Sequence, residues 1–65
     1  MNFFTYEIIV KDRASEIIKK KTFNTHCESK IYYELCTEET GSYHIQQIKV
    51  TNGKHRKVIR EHYND

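Results

Sequence analysis

The sequence predicts an α+β domain in which two β-hairpins flank one helix (ββαββ). The helix is expected on one face of a four-stranded antiparallel sheet. Three observations predict this. The apolar set holds eight Ile and three Val against one Leu and one Ala, and β-branched side chains suit a pleated surface while Leu and Ala favour helices. Six Thr, five Tyr and no Pro push the same way, because proline would interrupt a strand. One stretch only, Thr25 to Gly41, carries helix start and stop signals. With 65 residues the chain makes a single domain, 1–65. A chain of this length buries only about 60% of its unfolded surface, so its core is thin.

FFTYEIIVK (3–11) is the clearest strand, with Phe4, Tyr6, Ile8 and Val10 alternating onto one face. DRAS (12–15) is polar and turn-like. EIIKKKTF (16–23) reads as the return strand, because Ile-Ile and Thr-Phe are poor helix material. A short helix capped by Ser15 is the alternative for this segment. Thr25-His26-Cys27-Glu28 matches a capping box. The helix then runs through ESKIYYELCTEE, with Gly41 as its stop. Cys27, Ile31 and Leu35 share a stripe at i, i+4, i+8 that is expected to face the core, and Tyr33 to point away. SYHIQQIKV (42–50) is a third strand. Ile45 and Ile48 have opposite parity, so a bulge is expected at Gln46-Gln47. Asn52-Gly53 suits a type I′ hairpin turn. HRKVIREHY (55–63) is the fourth strand, and Asn64-Asp65 are expected to fray.

Cys27 and Cys36 are nine residues apart. On one helix that spacing puts them on opposite sides and about 13 Å apart along the axis, beyond the roughly 7 Å a disulfide tolerates. Free thiols and a reducing compartment follow. No apolar run of ~18 residues is present, so no membrane span is expected. The stretch MNFFTYEIIVKD has neither a basic n-region nor a small-residue cleavage site. The expected location is cytoplasmic.

Charge is segregated. Residues 26–41 carry four Glu and one Lys, a net of −3, whereas the remainder carries ten cations and five anions, a net of +5. A field of this kind steers an acidic surface or a polyanion toward the sheet. The basic residues are Lys19, Lys20 and Lys21 in the first hairpin, with Lys54, Arg56, Lys57 and Arg60 in the second. They read either as charges that protect edge strands from pairing or as phosphate contacts. No RNP aromatic pair or GXXG loop accompanies them.

The pairs Phe3-Phe4, Ile8-Ile9, Ile17-Ile18 and Val58-Ile59 place large apolar groups on both faces of the sheet. One helix covers one face. The other is then expected to expose apolar surface, which marks an interaction site. Ile9, Ile17, Ile59 and Tyr33 are the candidate partner-binding residues, and a homodimer or another protein is the expected partner.

Catalysis and metal binding find no support in the pattern. His26, Cys27, Cys36 and His44 lack CxxC or HxxxH spacing. Cys36 sits among Glu34, Glu38 and Glu39, which raise its pKa. A chain this short also leaves little room for a pocket of ~300 Å³ or more. We expect no enzyme activity, no cofactor and no small-molecule substrate.

The stretch YEIIVKDRASEIIKKKTFNTHCESKIYYEL…YHIQQIKVTNGKHRKVI resembles, in layout, the small orphan ββαββ proteins of bacterial phages and mobile elements. The resemblance spans nearly the whole chain and carries no functional residue. It implies a binding module that inhibits or redirects a host protein, including host-defence complexes. A nucleic-acid-binding regulator that uses the basic hairpin is the alternative.

Overall fold

The computed structural model describes residues 2–64. Strands β1 (Phe4–Lys11) and β2 (Ile17–Phe23) precede helix α1 (His26–Thr37), and strands β3 (Tyr43–Thr51) and β4 (His55–Asn64) follow it. All strand pairs are antiparallel. The order β2-β1-β3-β4 puts the two most apolar strands in the centre and the two lysine- and arginine-rich strands at opposite edges. Residues 17–23 form the return strand, and the alternative helix is not formed.

Ser15 caps no helix. It holds a positive φ of 64° at the end of a turn organised by Asp12. The Asp12 carboxylate accepts hydrogen bonds from the amides of Ala14 (2.9 Å) and Glu16 (3.0 Å), and the Asp12 carbonyl accepts one from Ser15. The second turn behaves as its sequence predicts. Asn52 and Gly53 both have positive φ, 53° and 71°, and the Lys54 amide donates to the Thr51 carbonyl. Asn52 also receives the chain start: its side-chain oxygen accepts from the Phe3 amide at 3.0 Å.

β1 and β3 pair in continuous register from Phe4↔Thr51 to Lys11↔His44. Gln46-Gln47 therefore holds no bulge in β3, and the expectation is corrected. Ile45 and Ile48 differ in parity because they serve opposite faces: Ile45 lies under the helix, and Ile48 belongs to a second apolar cluster. The extra residue sits on β4, where the register jumps between Gln47↔Arg60 and Ile48↔Val58 and leaves Ile59 unpaired. Asn64 closes β4 opposite Tyr43 and its side-chain amide donates to the Glu39 carbonyl, so it is not frayed. Asp65 lies outside the described residues.

The helix begins as the capping box predicts, with the Glu28 amide donating to Thr25 Oγ1 at 3.2 Å. The return bond differs. The Thr25 hydroxyl, not its amide, reaches the Glu28 carboxylate at 3.0 Å. The helix ends at Glu38, whose amide bonds back to Leu35 and Cys36, rather than at Gly41. Gly41 instead turns the chain into β3 at φ 124°. A Cβ there would lie 2.8 Å from Tyr43 Cε2.

The inward stripe of α1 is Ser29, Tyr33 and Cys36. The predicted stripe is thereby overturned: Ile31 is 61% and Leu35 56% exposed, Cys27 is exposed, and Tyr33 is 8% exposed. Two residues along a helix is a rotation of about 200°, so Ile31 and Tyr33 cannot both face the sheet. Two interactions fix the rotation. The Tyr33 ring packs with Ile8, Val10, Cys36 and Ile45. Gln47 is fully buried in the sheet and donates to Ser29 Oγ at 2.8 Å, and Ser29 donates to the His26 carbonyl at 2.8 Å. Burying that amide without a partner costs free energy, so a serine must face it. Gln47 Oε1 remains buried without a partner.

Candidate protein-docking surface

The doubled apolar residues divide between the faces as the strand period requires. Ile8 joins the core under α1, and Ile9 joins Ile48 and Val50 on the opposite face. That outer face is not open, however: Ile9 is only 5% exposed. Glu7 lies opposite Ile48, and Arg56 lies opposite Val50. Their side chains meet across the intervening β3 in a two-pronged ion pair, Arg56 Nη1 to Glu7 Oε2 at 3.0 Å and Nη2 to Oε1. The pair forms a strap across β3 over Ile48 and Val50 of the second apolar cluster. The Arg56 guanidinium is held further toward its charged form by this carboxylate. Val58 remains exposed at the margin.

The four candidate partner residues consequently separate. Ile9 is buried on the outer face and Tyr33 beneath the helix, so neither is presented to a partner, and both assignments are corrected. Burial raises the Tyr33 phenol above its ordinary pKa. Ile59 is half-buried at the β4 bulge. Ile17, 55% exposed on edge strand β2, is the only one of the four on open surface.

The basic residues do not form one patch. Lys19, Lys20 and Lys21 lie on β2, and Lys54, Arg56, Lys57 and Arg60 lie on β4 or its turn. Three inter-strand steps, roughly 14 Å, separate the two edges. Arg56 is neutralised by Glu7, and Lys19 pairs with Glu39 at 3.2 Å. That pairing raises the Lys19 pKa, first through the hydrogen bond and then through the charge.

A surface that the sequence reading missed runs along the flank between α1 and β2. Ile31 and Leu35, turned away from the sheet, join Phe23 and Tyr32 around a shallow groove of ≈ 250 Å³, with Glu28 at its margin. Phe23 and Tyr32 stand 5.4 Å apart, centroid to centroid. Lys21 Nζ lies over both rings, 5.7 Å from Phe23 and 5.2 Å from Tyr32. Beside the groove the whole of β2 except Phe23 is exposed, and its outer edge has no neighbouring strand among the described residues. The sequence signal for this flank was the i, i+4 pair Ile31/Leu35, assigned to the core because its members are the helix's strongest hydrophobes.

A second, more polar cleft of ≈ 440 Å³ opens at the far end of the sheet, lined by Lys11, Arg13, Ser15, Ser42, His44 and Tyr63 among others. A chain of this size thus does make room for a cleft, against expectation, because the β1–β2 turn and the end of β4 enclose space that α1 does not fill. Its imidazole is engaged: His44 Nε2 lies 3.0 Å from Glu61 Oε1 and the ring stacks on Tyr63 at 4.1 Å. Glu61 also accepts from the Tyr63 hydroxyl, which raises that phenol's pKa.

Both cysteines are free; Cys27, expected to face the core, is exposed, and Cys36 is buried. The Cys36 thiol is pushed up in pKa, first by burial and then by Glu39, which disfavours the nucleophilic thiolate. Among the described residues no group of three or more His, Cys, Asp or Glu is placed to hold a metal ion. Among the described residues no helix is long and apolar enough to cross a membrane. No family model, curated protein or solved structure matches the chain.

Proposed function

We propose that the chain is a small non-enzymatic binding module that docks an acidic protein surface through its α1–β2 flank. One observation carries this reading. The fold turns Ile31 and Leu35, the strongest hydrophobes of its helix, outward beside Phe23 and Tyr32, although a thin core has every use for them. Apolar side chains grouped on a surface and rimmed by charge favour an interface. Lys21 supplies that rim on the β2 side, and Lys20 adds positive charge on the outer face of the same strand, so the complementary partner is acidic. The layout resemblance to phage and mobile-element proteins suggests a host protein, a defence complex included, whose activity the module inhibits or redirects.

The test is capture from host lysate by three forms of the chain. The intact chain and Lys57→Glu/Arg60→Glu are expected to retain one and the same protein, and Ile31→Asp/Leu35→Asp to lose it while keeping its far-UV circular dichroism. Loss with the β4 variant and retention with the helix variant would overturn the reading. Capture that depends on nucleic acid and collapses as salt rises would instead support the regulator that grips phosphates.

A further inference from the structure

The edge of β2 and the groove beside it are arranged to receive a particular partner shape. We infer that the partner contributes an extended acidic segment that pairs with the free edge of β2 as a fifth strand, with apolar side chains on its helix-facing side packing on Ile31 and Leu35. This rests on the α1–β2 flank being the docking surface, and it adds the recognition mode and the partner's chemistry.

The edge itself is the first argument. Lys19 to Phe23 pair with β1 in unbroken register, Val10↔Lys19 through Tyr6↔Phe23. Their other edge faces outward with no strand beside it among the described residues. Unpaired strand edges template the addition of another strand. β4, the opposite edge, is broken in mid-strand by its bulge at Ile59, and bulges protect edges from such pairing, whereas the bulge of β2, at Ile18, lies at its start and leaves Lys19 to Phe23 regular.

Spacing is the second. Ile31 and Leu35 are four residues apart on α1, about 6.0 Å along its axis. Alternate side chains of a strand, which share a face, repeat at about 6.8 Å. A strand added beyond β2 therefore presents two same-face side chains at nearly the interval of the two exposed helix residues.

Charge selects the occupant. β2 has seven residues centred on Lys20. A second copy pairing antiparallel with full overlap would set Lys20 against Lys20 and Lys19 against Lys21. Like charges directly opposite destabilise a strand pair. The lysines that exclude a second copy favour a segment bearing Asp or Glu. One such carboxylate would meet Lys21 on the helix side, where the ammonium already stands over the Phe23 and Tyr32 rings. Another would meet Lys20 on the outer face, since Lys20 pairs with the outward Ile9. Lys19 is already committed to Glu39.

The experiment uses fluorescein-labelled nine-residue peptides of alternating Val and Glu in which the central Val is replaced by Glu, so that one carboxylate shares the Val face, titrated with the full chain and read by fluorescence polarisation. The Val/Glu peptide is expected to bind, and its Val/Lys counterpart to bind at least tenfold more weakly. N-methylation of every second backbone amide removes donors from one strand edge only. One parity is therefore expected to abolish binding and the other to leave it within about threefold. Lys20→Glu/Lys21→Glu is expected to reverse the preference toward Val/Lys, which shows that this variant remains folded. Equal tolerance of both methylation parities, or unchanged preference in the charge-reversed chain, would overturn strand addition. Absence of peptide binding, with lysate capture still dependent on Ile31 and Leu35, would sink strand addition and leave the docking flank standing. Loss of both would sink both. A sedimentation coefficient that rises with concentration and falls back in Ile31→Asp/Leu35→Asp would instead assign the flank to a second copy.

Discussion

Replacing Ile31 and Leu35 together by Ala should leave the fold nearly as stable as before, whereas replacing Tyr33 alone should come close to unfolding it. Complete burial of an Ile or Leu side chain stabilises by about 1.5–3 kcal/mol. Ile31 is 61% and Leu35 56% exposed, so less than half of that value is present at each site, and the alanine methyl keeps part of it. Ile→Ala also recovers up to about 0.7 kcal/mol of helix propensity. The pair should cost about 0.5–1.5 kcal/mol in all. Tyr33 is 8% exposed within the main apolar cluster, and deletion of a buried aromatic ring costs about 3–5 kcal/mol. A domain of 65 residues has only about 3–10 kcal/mol in total. Urea unfolding followed by far-UV circular dichroism, with the slope checked for constancy, measures both. A double variant that costs as much as Tyr33→Ala would refute the assigned rotation of α1, and with it the outward flank.

Three further outcomes follow from the packing. Arg56→Met leaves the largely buried Glu7 carboxylate unpaired and should cost about 1–3 kcal/mol; adding Glu7→Gln should recover much of it, and strict additivity in the double-mutant cycle would dismiss the strap. Gly41→Ala should cost about 1–3 kcal/mol, because its φ of 124° and the Tyr43 ring 2.8 Å from the new Cβ both resist it, and an unchanged urea midpoint would contradict that. The Tyr33 phenol is raised in pKa by burial, so its contribution is complete below the unfolded value near 10 and is lost as pH rises through the folded value. Stability should therefore fall in alkali, and less steeply in Tyr33→Phe; equal slopes would deny the group that role.

The element order was legible because it rests on local rules. β-Branched alternation marked β1, Thr25 with Glu28 marked the helix start, and Asn52-Gly53 marked the second turn. The helix's inward side was not legible. Ranking residues by hydrophobicity chose Ile31 and Leu35, but the sheet buries Gln47, and only Ser29 on the opposite side of α1 can satisfy its amide. That requirement lies between residues 18 apart in sequence and has no local signature. The bulge was misplaced for a related reason. The parity change between Ile45 and Ile48 reflects two apolar faces, whereas the inserted residue belongs to the partner strand. The seven basic residues suggested one patch, and only the strand order assigns them to opposite edges.

Hydrogen–deuterium exchange of the chain, alone and bound to the protein it captures, examines the docking flank most directly. Amides of residues 17–23 should gain protection, with slower exchange also along α1 near Ile31 and Leu35, and those of 55–64 should keep their free-state rates. Protection gained along β4 with none on β2 would contradict the account.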